Sequence, residues 1–210
     1  MYYASMKPAV GNQSARRQPK QRRALQTVDD VLDAVIRILK REGAAAVTTN
    51  RIAEVAGVSI GSLYQYFPDK RAIFNALHSR HIEQIDRLVE RTLVAHASSP
   101  LDDLVKALIE AMIEAHEADP ELYHALMAEV PHSAGGKQAF AVRLHGVFLM
   151  AIAARAHELK KHHEPVKTAF IVAHMVDALS HGVVLHRPPS LSRSDAKKEA
   201  VRAVLAYLHS

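Results

Sequence analysis

His174, Asp177 and His181 stand at i, i+3 and i+7, a spacing that brings all three to one face of a helix. Two imidazoles and a carboxylate so placed are the right types to hold a divalent metal. The same trio also suits a hydrogen-bond network at an interface, or a contact to a polar ligand. A second concentration of polar groups lies in residues 48–70, TTNRIAEVAGVSIGSLYQYFPDK. Thr48, Thr49, Asn50, Ser59, Ser62, Tyr64, Gln65, Tyr66 and Lys70 offer hydroxyls, amides and an ammonium there, the groups that bond to phosphates and base edges. Cysteine is absent, which excludes a thiol nucleophile, a disulfide framework and a cysteine metal site. No glycine-rich phosphate loop is present, so an enzyme would have to draw on the histidine-bearing face alone. No cofactor is expected.

The elements that position the second cluster are legible in its apolar residues. Ile52, Ala53, Val55 and Ala56 give a short helix one apolar side. Gly57 ends it, because glycine enters the left-handed conformation without steric cost. Val58 plugs the turn and Ser59 caps the next helix, over about 60–66. Leu63 and Phe67 point inward. Ser62, Tyr64, Gln65 and Tyr66 are left facing out. The spacing predicts a helix-turn-helix, whose second helix enters the major groove of DNA. Ser62 and Gln65 are candidates for base edges, Ile60 for a thymine methyl, and Thr48, Thr49, Tyr64 and Tyr66 for phosphates. Gly61 allows the helix backbone to come close to the duplex. Lys70, at the start of a long helix, can hold a phosphate with that helix's positive end, or serve as an ordinary surface lysine.

Charge is distributed to match. Residues 1–80 carry 13 Lys and Arg against 6 Asp and Glu, net +7, and the remainder is net −2. A polyanion partner is therefore expected for the N-terminal part. Residues 1–24 are rich in Gln, Arg, Ser and Pro and are expected to form a disordered basic arm, with Arg16, Arg17, Lys20, Arg22 and Arg23 beside the DNA-binding unit. The start has no apolar signal core, and Ala139–Ala154, broken by Arg143 and His145, is too short to cross a bilayer. A reducing, cytoplasmic setting with no membrane contact is expected.

The rest of the chain reads as helices between breaks. A first helix over about 28–42 carries a stripe of Val28, Val31, Leu32, Val35, Ile36 and Leu39, opens on Thr27 and Asp30 as a capping box, and stops at Gly43. Further helices are expected over about 69–95, 101–117, 121–129, 137–161, 165–186 and 194–208, the last capped by Ser192 with Asp195. The fold class is all-α with about nine helices: a helix-turn-helix head over 25–70 and a helical body over 71–210.

Thr49, Ile52, Ala53, Ala56-Gly57-Val58-Ser59, Gly61, Leu63-Tyr64, Tyr66-Phe67 and Lys70 together resemble the TetR family of bacterial transcriptional regulators, closely over about residues 25–75. The resemblance implies that Asn50 can reach a base edge, adenine being the partner its amide suits; a plain N-cap is the competing role. It implies a homodimer through the last two helices, where Phe170, Ile171, Met175, Val176, Leu179, Val183 and Val184, then Val201, Val204, Leu205 and Leu208, supply apolar surface. Two heads would then meet a pseudo-palindromic operator. It also implies a small-molecule effector in the body. His116, Tyr123, Met127, Phe140, Leu144, Phe148 and His174 are the candidate lining, with Phe148 and Tyr123 giving contact area and His174 or His116 orienting a polar end. The expected function is a ligand-responsive DNA-binding regulator, a repressor released by a mainly apolar effector. The alternatives are a metal-responsive regulator, a metal-dependent enzyme using the His174, Asp177, His181 face, or a DNA-binding protein acting without a ligand through a protein partner.

Overall fold

The computed structural model describes residues 14–130, 135–160 and 164–210, the side chains of 14–21 and 135–138 excepted. Among the described residues there are nine α-helices and two short 3-10 turns, and no strand. The chain divides into two compact units, Met1–Lys70 and Arg71–Ser210.

The first unit is built on α1, Ser14–Glu42. Its side chains Val31, Leu32, Ala34, Val35, Ile38 and Leu39 are buried, and Ile36 is only half-buried. The buried stripe thus differs from the expected one: Val28 and Ile36 are only half-buried, and Ala34 and Ile38 are buried in addition. The helix also starts earlier than the apolar pattern suggests. Residues 14–24, expected within a disordered arm, are helical: Ala, Arg, Gln and Lys are strong helix formers even without an apolar face, and the helix runs through Pro19 against that residue's preference. Thr27 therefore lies mid-helix, its hydroxyl donating to the Arg23 carbonyl, and the capping box with Asp30 is not formed. Arg22 and Arg23 are exposed. The side chains of Arg16, Arg17 and Lys20, and all of residues 1–13, lie outside the described residues.

Gly43, at φ 81°, closes α1 in a conformation only glycine adopts freely, and its N–H donates to the Ile38 and Leu39 carbonyls. A 3-10 turn at Ala44–Ala46 leads into α2, Thr49–Ala56, and then α3, Ile60–Tyr66. Val47, Ile52, Ala53, Leu63 and Phe67 complete the core of this unit. Arg51 fastens α2 to the end of α1, with Nη2 2.8 Å from Glu42 Oε1, and Arg37 donates to the Val55 carbonyl at 3.0 Å.

The second unit contains α4 (Lys70–Ala95, from its second residue onward), α5 (Leu101–Glu117), α6 (Pro120–Glu129), α7 (Gly135–Ala154), α8 (Pro165–Leu185) and α9 (Arg193–Leu208). The central α8 packs against α5, α7 and α9. Leu104, Leu108, Ile109, Met112 and Ile113 of α5 meet Val172, Val176, Phe148, Ile152 and Val204 in one core. Asp119 caps α6 by accepting from Leu122 N, with Pro120 in the first turn, where no N–H is needed. Ser192 caps α9 as its capping box predicts.

The helix expected over 137–161 stops instead at Ala154. The cause is Arg155, whose guanidinium donates to the carbonyls of Ala151, His96, Ala97 and Ser99, closing the end of α4 against the end of α7. A 3-10 turn, Ala156–Glu158, follows. By length and hydropathy α8 could cross a membrane, but Thr168, Ala169, Val172, Ala173, Val176, Ser180 and Val183 are buried in this core.

Candidate nucleic-acid interface and ligand cavity

The turn between α2 and α3 forms as its residues require. Gly57 is left-handed at φ 70°, ψ 27°, with its N–H on the Ala53 and Glu54 carbonyls and Val58 N on Ala53 O. Thr48, not Asn50, caps α2, its hydroxyl accepting from Arg51 N at 3.2 Å. That leaves Asn50 exposed in the first turn with its amide unused by the cap. Ser59 caps α3 by accepting from Ser62 N at 3.0 Å, and the Ser59 and Ser62 hydroxyls lie 2.8 Å apart. The Ser62 hydroxyl is therefore already engaged at the helix start. Thr49 and Tyr64 hydroxyls are 3.3 Å apart, which ties the outer side of α2 to that of α3.

The outer face of α3 holds Ile60, Gly61, Tyr64, Gln65 and Tyr66, all exposed. Two large aromatics and an isoleucine stand partly outside the small core, and of the three Tyr64 also ties α3 to α2 through its hydroxyl. Gly61 is informative in the same way. A Cβ there would meet nothing nearer than Ser59 Oγ at 3.9 Å, so packing within the head does not require glycine. Lys70 opens α4, half-buried.

The second unit holds a partly open cavity of about 440 Å³, within the roughly 300–1,000 Å³ of small-molecule sites. His78, His81, Ile82 and Ile85 come from α4, His116 from α5, Tyr123 and Met127 from α6, Phe140 from α7, and Asp177, His181 and Leu185 from α8, with His186 just beyond. Of the residues expected to line a pocket, His116, Tyr123, Met127 and Phe140 do so. Leu144 and Phe148 do not: they are buried further along α7, in the core cluster that Phe140 also joins. His174 is exposed, turned back along α8 with Nδ1 2.8 Å from the Phe170 carbonyl. Asp177 and His181, 3.3 Å apart, face the cavity without it. The trio at 174, 177 and 181 is thus split, and no group of three or more metal-binding side chains is assembled among the described residues.

The polar wall is a stack of rings. His116 and Tyr123 lie 4.2 Å apart at 18°, and His116 and His181 5.3 Å apart at 16°. His81 Nε2 and His116 Nδ1 share a hydrogen bond at 3.1 Å. The Tyr123 hydroxyl bonds His181 Nδ1. Burial pushes the His81 imidazolium down to about 4, helped by His78 and His181. Burial pushes His116 down to about 2, with His81 and His181 adding repulsion. His181 is lowered as well, again by burial first and then by His186. His81 and His116 are therefore neutral imidazoles at neutral pH, and His181 is shifted the same way.

Sequence reading missed His78, His81 and His186. A signal was available for the first two: they fall on the buried stripe of α4 with Phe74, Leu77 and Ile85, where a histidine must face a core or a cavity.

A three-helix head presenting an exposed second helix, joined in sequence to a helical body with a partly open cavity, is the architecture of a DNA-binding regulator. The chain belongs to the TetR family. Residues 31–77 match the bacterial regulatory proteins of the tetR family, and residues 100–208 match the tetracyclin repressor-like C-terminal domain. Among curated relatives, the nucleoid occlusion factor SlmA of Glaesserella parasuis is 36% identical over 106 residues, 47% of this chain and 51% of that protein. The transcriptional repressor KstR of Mycolicibacterium smegmatis is 37% identical over 65 residues, 31% of this chain and 32% of that one. The chain spans about half the length of the first of these relatives and a third of the second. The solved structure of the fatty acid degradation regulator FadR from Bacillus halodurans shares the fold, with TM-score 0.66, 16% identity, and 88% and 97% of the two chains covered.

Proposed function

We propose that the protein is a cytoplasmic transcriptional repressor that binds a pseudo-palindromic operator as a homodimer and leaves it when a mainly apolar small molecule fills the body cavity. The observation that carries the DNA-binding part is the outer face of α3, with exposed aromatics, an amide and a glycine that the head's own packing does not need. Asn50 and Gln65 read bases, Tyr64, Tyr66, Thr48, Thr49 and Lys70 hold phosphates, and Ile60 meets a thymine methyl. The cavity supports the effector part. Four of its lining residues lie on α4, whose first residue, Lys70, belongs to the first unit. A ligand that favours one arrangement of α4 shifts the population of heads able to meet successive major grooves. Family membership makes a regulator the reading, and no residue of the cavity is assigned a catalytic step.

The dimer contact is centred on α8. The last two helices were expected to share it. Within the chain Ala196, Ala200, Val201, Val204 and Leu208 of α9, and Val176 and Val183 of α8, are buried, while Leu205 of α9 and Met175, Leu179 and Val184 of α8 are half-buried and remain open to a partner. Large apolar side chains left in water include, besides Val94 on α4, Val166, Phe170 and Ile171 on α8 and Val142 and Met150 on the adjoining α7. A second copy covers this face.

Three substitutions separate the DNA-binding roles. Gly61→Ala should leave the head folded and more stable by about 0.5–1 kcal/mol, since helical glycine costs that much, yet weaken operator binding by blocking close approach. Lys70→Ala should weaken all sequences alike and lower the salt slope by about one per subunit. Gln65→Ala should relax preference at one operator position by roughly 1–3 kcal/mol. Binding titrations on matched and mismatched DNA at several salt concentrations read all three. Unchanged DNA affinity in Gly61→Ala, or equal losses on every sequence for Gln65→Ala, would contradict the assignment.

A further inference from the structure

The polar wall of the cavity restricts the chemistry of what enters it, given that the cavity is the effector site. His81 Nε2 and His116 Nδ1 bond each other, which consumes one N–H and one lone pair. Whichever tautomers the pair adopts, what remains on the outer nitrogens is one N–H and one lone pair. On the other side of His116, Tyr123 and His181 bond each other and His181 Nε2 lies against Asp177 Oδ1, so that this line is already matched. Ile82, Ile85, Met127, Phe140 and Leu185 supply the hydrocarbon part of the lining.

We propose that the cavity takes an uncharged amphiphile with a hydroxyl head, an alcohol on an aliphatic body, in preference to the carboxylate or ammonium with the same tail. A hydroxyl both donates and accepts, so it satisfies either outer nitrogen of the His81–His116 pair. A carboxylate only accepts. It would be desolvated beside Asp177, with Asp119 also near His81, and among imidazoles that stay neutral because burial and mutual repulsion oppose their protonation. An ammonium only donates. Asp177 is already set against His181, and the one lone pair left on the His81–His116 pair would satisfy one of an ammonium's three N–H groups, so the rest would be desolvated against the hydrocarbon of the lining. The charged and titratable groups that face the head are His78 and His81 from α4, His116 from α5, Asp119 and Tyr123 at α6, and Asp177, His181 and His186 at α8.

The test uses the full chain at pH 7.5 with three probes of one tail length: 1-octanol, octanoate and octylamine, titrated by calorimetry. Octanol should bind at least about tenfold more tightly than either charged probe, the worth of one matched buried hydrogen bond. His116→Phe removes the pair and should cut that preference to about twofold or less. Met127→Trp fills the hydrocarbon part and should weaken octanol binding at least about tenfold. Tightest binding of octanoate or octylamine overturns the proposal, as does binding of none of the three. An undiminished preference in a folded His116→Phe variant overturns it too. If that variant fails to fold, the order of the probes on the native protein and the Met127→Trp result decide. DNA binding by the same samples keeps the two readings apart. Protein that binds palindromic DNA but prefers a charged probe loses only the hydroxyl assignment, whereas protein that binds no DNA loses the regulator reading whatever the probes do.

Discussion

Phe170→Asp is expected to convert a dimer into monomers. The side chain stands 50% exposed in the single chain, on the α8 face beside Ile171 and Val166, with Met150 of the adjoining α7 68% exposed. In a dimer through this face it would be covered, and an aspartate there would be an unpaired buried charge costing about 3–5 kcal/mol, or roughly two to four decades in dissociation constant. Because Phe170 is not part of the chain's own core, the monomer should keep its helical content. Operator affinity should collapse, since one head meets only one half-site. Sedimentation across a concentration series, with the native chain alongside, checks this. An unaltered dimer in Phe170→Asp would place the contact elsewhere, and a native chain that stays monomeric throughout would remove it.

Acid should destabilise the body steeply. His81 and His116 have folded pKa values near 4 and 2, below the ordinary 6.5, because burial opposes the imidazolium. The unfolded chain therefore takes up these protons first. Stability is full above about pH 6.5 and is lost as pH falls through the window toward the folded values. Each group contributes a slope of up to about 1.4 kcal/mol per pH unit, so the pair gives roughly 2–3 kcal/mol between pH 6 and 5. For a chain of this size that is about 4–10 °C in melting temperature. The His81→Gln, His116→Gln double variant should lose this slope while the background from other groups stays. Thermal melts from pH 7 to 5 test it, and parallel slopes for the native and double-variant proteins would show that the two imidazoles are not held neutral.

The parts of this account that sequence made legible are those set by neighbours along the chain. Gly57, Val58 and Ser59 specify a turn through local conformation and capping, and the turn formed as read. Pro120 and Ser192 mark helix starts for the same reason. The early start of α1 was hidden because residues 14–24 form helix by propensity without an apolar stripe, the signal used to find helices. The end of α7 was hidden because Arg155 stops it by bonding carbonyls 56–59 residues earlier in the chain. The cavity was half legible. His116, Tyr123, Met127 and Phe140, expected around a ligand, stand around the cavity, but the split of His174 from Asp177 and His181 depends on which neighbour each faces, and spacing along one helix does not encode that. Likewise, α9 looked as apolar as α8; only packing shows that Val201, Val204 and Leu208 are buried at home, with Leu205 half-buried, while Phe170 and Ile171 of α8 are left in water.

Selection of bound duplexes from a random DNA pool by the native protein tests the central claim most directly. A dimer that presents two copies of α3 should enrich an inverted repeat with half-sites spaced by about one helical turn or a small multiple of it, and Gln65→Ala should blur one position in each half. Enrichment of a sequence without internal two-fold symmetry, or no enrichment over the starting pool, would contradict a dimeric operator-binding repressor.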